Sequence, residues 1–445
     1  MFVDNGILYR QINRCYRSDY ERLMESGLYD DLVAKGFLVS HAEADIHLAR
    51  TEDVYKVIRP QPVPFISYPY EWCFGQFKDA ALLTLEAQAL ALGRGMTLKD
   101  ASAYNVQFMD GRPVLIDTLS FAIHREGAPW MAYRQFCQHF LAPLALICYR
   151  DVALSQLLRI HMDGIPLPLA SELLPGRTKL SPSLALHIHM HAKMQAKYEG
   201  RPEALTTSKR KMSVRSLAAF IEGLRQYVCG LQWHLPRTVW GKYDLGGSYE
   251  DEGLAHKAEL VQAFLAGINP RTLWDLGANR GFFSRLASRK GIFTVAWDID
   301  PVAVELSYRD VTKEKERDLL PLVLDLTNPS PSLGWANAER SSFAERGPAD
   351  ACMALALIHH LAIANNLPLE RIAGYFARLS PRLILEFVPK DDPKVRHLLA
   401  SREDIFPDYT RPGLEAAFGR HYRITSVAEI RNSSRILYLM ERTDA

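Results

Sequence analysis

Residues 273–300 read LWDLGANRGFFSRLASRKGIFTVAWDID. An apolar strand runs into a glycine loop, a helix follows, and a second apolar strand ends in acid. A strand–loop–helix–strand unit of this kind lays its two strands parallel and offers the loop and the strand tips to a nucleotide-like ligand. Dinucleotides, nucleoside triphosphates and sulfonium nucleosides all use such sites, so the ligand class must be read from the loop.

The dinucleotide fingerprint wants three glycines spaced G-x-G-x-x-G. Here Gly277 and Gly281 bracket Ala278, Asn279 and Arg280, so the middle glycine is replaced by Asn279 and the third is missing. No Gly-Lys-Ser/Thr follows, which excludes a P-loop. Charge sharpens the choice. Phosphates seek bare amides at a helix N-terminus, and Asp275 at the mouth of the loop would repel them. S-adenosylmethionine (SAM) carries an ammonium and a sulfonium and is drawn to acid. The glycines then serve sterically, letting the backbone turn sharply against the ligand. Asp298, 23 residues after Asp275, ends the second strand and can accept both hydroxyls of a ribose. Asp300, two residues on, points the same way along an extended chain and is the alternative. Asp325 ends a third strand, LPLVLDL, where it can accept from an adenine amino group. Any one of these acids alone reads equally well as a loop or capping residue. Together, at successive strand tips, they form a constellation for SAM.

Beyond residue 272 strands alternate with helical stretches, near 272–276, 292–298, 320–326, 350–358, 382–388, 422–430 and 435–441. Alternation of this kind implies a parallel, doubly wound sheet. Only RNSS (431–434) separates the last two strands, so they must be antiparallel. The pattern gives an α/β fold that ends in an antiparallel hairpin and is preceded by an α+β domain; that the whole is a Rossmann-like seven-stranded sheet is what the following resemblance implies. DLGANRG, AWDIDPVAVE, VLDLTNPSPSLGW, ALALIHHLAIANNLPL and LEFVPKDDPKVRHLLASREDIFPDYT resemble the class I SAM-dependent methyltransferases grouped with the NoeA-type nodulation proteins, over about residues 235–445. By position, the resemblance implies that Asp275, Gly277, Asn279 and Gly281 surround the methionine part, Asp298 the ribose and Asp325 the adenine.

Methyl transfer from a sulfonium is an in-line displacement, so alignment supplies much of the catalysis. A hydroxyl acceptor also needs a base. The fourth strand, DACMALALIHHL, is expected to end at His359 and His360, one of which is the candidate base; along an extended chain the two would diverge. Glu386 at the end of strand five could hold or deprotonate the acceptor, or pair with Arg402 as a structural ion pair. NPSP (328–331) reads as a rigid turn, since it follows strand three and lacks the aromatic residue of the amino-group methyltransferase box. Residues 334–347 form a long loop on the same side, a candidate lid or acceptor wall.

A chain of 445 residues holds two or three domains. Boundaries are expected at 1–200, an N-terminal α+β domain; 201–248, a linker and helical connector that contains a polar stretch over 200–213; and 249–445, the SAM domain. Apolar residues are 48% of the chain and charged residues 23%, with formal net charge +2. Nothing in that balance demands nucleic acid or an acidic membrane. The six cysteines form no close pair, so neither a zinc cage nor a disulfide framework is legible, which fits a reducing cytoplasm. The first residues lack a signal-peptide pattern, and no apolar run is long enough for a membrane span.

Within the first 200 residues, Asp100 and Asn105 have the Asp-x4-Asn spacing of a kinase catalytic loop, and Asp117 stands where the metal-binding Asp of Asp-Phe-Gly would be. The stretch resembles a kinase-like C-lobe, but Thr118-Leu119 replaces Phe-Gly, no glycine-rich loop precedes it, and Lys56 is the sole candidate strand lysine. Substrate presentation or docking of a protein partner suits this domain better than phosphotransfer. HIHMH (187–191) lies in a helical pattern that aligns only His187 and His191, so no metal is expected. SKRK (208–211) reads as solvated linker. The expected activity is O-methylation of a small molecule or glycan. The alternatives are methylation of RNA or protein, and a SAM-binding scaffold fused to a degenerate kinase-like domain.

Overall fold

A computed structural model of the chain describes residues 1–198, 212–236, 251–400 and 402–443. The expected linker residues 201–211, SKRK among them, lie outside the described residues. The chain divides into two compact units, Met1–His234 and Leu235–Ala445. No helix among the described residues is long and apolar enough to cross a membrane.

The first unit opens with a four-stranded antiparallel sheet of β1 (Phe2–Asp4), β2 (Ile7–Asn13), β3 (His41–Ala44) and β4 (Val54–Pro60), in the order β1-β2-β4-β3. A buried helix, α1 (Phe74–Gly93), follows. Then come β5 (Met96–Leu98), the hairpin β6 (Val106–Met109) and β7 (Arg112–Leu115), and β8 (Phe121–Ile123), which returns to pair with β5. The hairpin turns on Asp110-Gly111, both left-handed, as an Asp-Gly pair between alternating strands requires. Helix α2 (Val214–Gly230) buries Leu217, Ile221, Leu224 and Val228 on one face and lies against α1. That stripe draws into the first unit a segment whose sequence position had placed it in a connector.

The kinase-like positions are bound up locally. Asp117 pairs with Arg10 NH1 at 2.5 Å and also accepts from Leu119 N and Ser120 Oγ. The Asp100 carboxylate accepts from Ser102 N and Gln135 Nε2, Asn105 donates to Ser120 Oγ, and Lys56 pairs with Glu43. His187 bonds Tyr133, and His189 bonds Ser171 and Thr178. Among the described residues no group of three His, Cys, Asp or Glu is placed to hold a metal.

The second unit is a seven-stranded sheet of β9 (Thr272–Leu276), β10 (Phe293–Asp298), β11 (Leu319–Val323), β12 (Ala351–Ala354), β13 (Arg382–Phe387), β14 (Tyr422–Glu429) and β15 (Ile436–Arg442). Their order is β11-β10-β9-β12-β13-β15-β14, parallel through β13, with β15 antiparallel to both β13 and β14. The order reverses between β9 and β12, which opens a crevice at the strand tips. The helices include α3 (Asp251–Ile268), α4 (Phe282–Ser288), α5 (Pro301–Glu314) and α6 (Leu369–Leu379). Strands covered on both faces read as apolar runs. On one face Leu273, Met353, Ile384 and Leu437 join Val261, Leu265 and Phe283 in a single core. On the other, Trp274 and Trp297 pack against Phe343, whose ring lies 4.8 and 5.3 Å from theirs. Phe343 thereby pins the long loop between β11 and β12 to the sheet.

Candidate active site

After β9 the backbone passes through three left-handed residues, Gly277 (φ 78°), Asn279 (φ 50°) and Gly281 (φ 78°). The amides of Gly277 and Ala278 both donate to the Trp297 carbonyl at 2.9 Å, which ties the loop to the end of β10. A Cβ on Gly277 would stand 3.1 Å from Leu357 Cδ1. Glycine suits the left-handed backbone there, and Leu357, from the segment after β12, lies close over it.

Asp298 locks the same loop from the neighbouring strand. Its Oδ2 accepts from Asn279 N at 2.7 Å and its Oδ1 from Asp300 N at 2.8 Å. Burial pushes this carboxyl up to about 6 against the pull of those amides. Asp300 serves the neighbouring helix instead, because its Oδ1 accepts from Val302 N at 2.8 Å and caps α5. Between the two acids Ile299 is 58% exposed. It is an apolar residue left bare between two buried carboxyls. Sequence reasoning passed it over, although an apolar residue between two acids at a strand tip was the available signal.

Asp325 lies two residues beyond β11, half-buried, with its Oδ1 accepting from Thr327 N and Thr327 Oγ1. NPSP follows in the turn and loop beyond it. Asp275 is buried in β9, and its Oδ2 accepts from Ser284 Oγ at 2.5 Å. Burial raises Asp275 to about 7, against the opposing pull of Ser284 and Lys257.

On the acceptor side the structure departs from the sequence expectation. Strand β12 stops at Ala354, because Ala356 takes a left-handed turn (φ 51°), and the chain is helical from Ile358. His359 and His360 therefore sit on a first helical turn, not at a strand end. Their rings do not diverge but lie 4.1 Å apart. His359 is 3% exposed, and its Nδ1 has no hydrogen-bond partner. Burial, then the neighbouring His360 and Arg435, hold His359 well below the ordinary imidazole range; burial also lowers His360. Both rings are neutral near pH 7.

Glu386 is 0% exposed. Its Oε2 faces Lys257 Nζ at 2.5 Å and its Oε1 faces Arg435 NH1 at 3.4 Å. Arg435 also pairs with Asp392, Nε to Oδ2 at 2.7 Å. Arg402, the partner expected from sequence, donates instead to the Ile363 carbonyl. Lys257 of α3 was not foreseen, since nothing near it in the chain marks it as more than a surface lysine.

Nodulation protein NoeA of Rhizobium meliloti (strain 1021) is 37% identical over 419 residues, 93% of this chain and 88% of that one. The chain belongs to the NoeA family. The likeness read at residues 235–445 thus extends over nearly the whole length. No family model matches. Among solved structures, WbdD matches at 18% identity over 47% of this chain and 45% of its own, with a TM-score of 0.33. Magnesium protoporphyrin IX methyltransferase (ChlM) from Synechocystis PCC 6803, with bound SAM, matches at 17% over 47% and 87%, TM-score 0.31. N-methyltransferase NodS from Bradyrhizobium japonicum WM9 matches at 8% over 44% and 99%, TM-score 0.33. In its second unit this NoeA-family chain has a seven-stranded sheet of order β11-β10-β9-β12-β13-β15-β14 and a left-handed glycine loop after β9.

Proposed function

We propose that this NoeA-family chain is a SAM-dependent methyltransferase acting on an oxygen of a small molecule or glycan, with His359 as general base and His360 as its neighbour. One observation carries the choice of base: a neutral, buried His359 whose Nδ1 has no hydrogen-bond partner, two residues from the Leu357 that closes on the cofactor loop. Bound SAM supplies an electrophilic methyl and a neutral thioether leaving group. Asp298 holds ribose hydroxyls, Ile299 lies against the base, and Asp325 accepts from its amino group. Gly277 and Asn279 shape the backbone around the methionine part, and Asp275 answers its positive charge. His359 takes the hydroxyl proton of the acceptor at Nδ1. The charged imidazole then faces Arg435, which favours prompt loss of that proton. Glu386, held between Lys257 and Arg435, supports the acceptor side structurally.

Calorimetry with SAM and S-adenosylhomocysteine tests the cofactor: absence of binding, unchanged by Asp298→Ala, would end this reading. His359→Ala should abolish turnover while keeping cofactor binding, and His360→Ala should reduce it less. Equal, undiminished turnover in both would remove the base. Radiolabelled SAM in lysate separates acceptors, with label in RNA or protein favouring macromolecular methylation. Binding without turnover on any acceptor would favour a SAM-binding scaffold.

For the first unit we infer a kinase-like plan used for docking or substrate presentation. The run from β5 through Asp100 and Asn105, the β6–β7 hairpin and Asp117 to the returning β8 supports the plan. The Arg10–Asp117 ion pair argues against metal binding at that carboxylate. Magnesium-dependent ATP turnover by the pure protein would refute the docking role.

A further inference from the structure

A group of buried charges lies within the second unit. Lys257 from α3 and Arg435 before β15 face Glu386 of β13 and Asp392, with contacts from 2.5 to 3.4 Å. All four side chains are buried. Asp275 of β9 belongs to the same layer: it stands in register with Met353 of β12, its carboxylate bonds Ser284 of α4, and the Lys257 charge acts on it. Two cations therefore meet three carboxylates. Lys257 and Arg435 are matched by Glu386 and Asp392, and Asp275 is the odd one. An unmatched carboxylate in a dry layer is costly and avoids ionising unless a cation joins it. The other groups around Asp275 do not supply one. Asp298 of β10 is a like charge, Cys352 of β12 is a neutral thiol pushed up by burial, and Ser284 is a hydroxyl.

We propose that Asp275 is a proton-coupled anchor: it is protonated in the free protein and releases its proton to solvent when a ligand bearing ammonium and sulfonium charge enters, so that cofactor affinity is linked to pH. This rests on the SAM reading of the site. The O–H bond of one carboxyl breaks, the proton passes to buffer, and the carboxylate left behind completes the charge balance with the ligand. Burial holding this carboxyl near 7 agrees with that account.

The test is titration calorimetry of the full chain with SAM, in paired buffers of different ionisation enthalpy. Near pH 6 the α-amino group of the ligand is already protonated, so a released proton belongs to the protein. The expected result is release of about one proton from Asp275 near pH 6 and almost none from it near pH 8, with affinity rising about fivefold between pH 6 and 7 and levelling off above. Lys257→Met should move the levelling-off to higher pH. Asp275→Asn should bind more weakly and lose both the proton release and the slope. SAM binding with no proton release near pH 6 and flat affinity from pH 6 to 8 would overturn the proposal, and so would release that survives Asp275→Asn. No binding at any pH would overturn the SAM reading itself, a separate outcome.

Discussion

Glutamine in place of Glu386 separates a structural carboxylate from a catalytic one. The change keeps the shape and removes one charge from a site with no solvent, 2.5 Å from Lys257 Nζ and 3.4 Å from Arg435. Unit charges as close as the lysine pair attract by about 7 kcal/mol at an effective dielectric of ~20. The variant does not lose that whole sum, because Lys257 has an escape. It can shed its proton, which at pH 7 costs about 5 kcal/mol for an ordinary lysine, and less for one that burial already pushes down. Arg435 has no such escape but keeps Asp392 at 2.7 Å. Removing one partner of a buried pair costs about 3–5 kcal/mol in general, and deprotonation of Lys257 caps the loss near the upper figure. The expected loss of stability for Glu386→Gln is therefore about 3–5 kcal/mol at pH 7. Its pH dependence has a fixed sign. Lys257 in the variant has a depressed folded-state value, so the deficit is largest at low pH and shrinks as pH rises, by at most about 1.4 kcal/mol per pH unit. Urea unfolding from neutral to alkaline pH, followed by circular dichroism, measures this, with S-adenosylhomocysteine binding checked on the folded protein. A variant that unfolds at the parent's urea midpoint yet has lost turnover would refute the reasoning and return Glu386 to the chemistry.

Gly277→Ala forces a side chain into a left-handed backbone, at about 1–2 kcal/mol, and onto Leu357 Cδ1 at 3.1 Å; S-adenosylhomocysteine affinity should fall at least several-fold by calorimetry. Asp300→Ala removes the α5 cap and should lower stability by about 1 kcal/mol with little change in cofactor affinity, whereas Asp298→Ala should lose binding. Because Asp275 and Asp298 are raised in the fold, to about 7 and about 6, they favour the folded state at low pH and disfavour it as pH climbs from the ordinary carboxyl range through those values. Asp275→Asn should accordingly be more stable than the parent near pH 8 and not near pH 5, as thermal unfolding at the two pH values will show.

The strand–helix alternation after residue 272 was legible because each strand is covered on both faces and so reads as an apolar run. The antiparallel end followed from RNSS, too short for any crossover. The sequence predicts strand four to run to about 358, beyond its end at Ala354, because ALALI is apolar throughout and apolarity alone cannot mark where an extended chain turns helical. The backbone turn at Ala356 leaves no trace in composition. The choice between Asp298 and Asp300 was likewise open in the sequence, since both acids suit a strand tip. In the fold the two differ in what they hold: Asp298 Oδ2 reaches the glycine loop at Asn279 N, and Asp300 caps α5.

What the sequence by itself determined was local: glycines where the backbone must turn left-handed, acids in order at strand tips, and apolar runs of strand length. Those properties belong to short stretches and survive in one dimension. Only the tertiary structure decided which carboxylate is matched, which histidine is buried with an unpartnered nitrogen, and that Lys257 meets Glu386, 129 residues away in the chain. Charge balance in a buried layer is a property of neighbours in space, and the chain brings those neighbours together only when the sheet has closed beneath its helices.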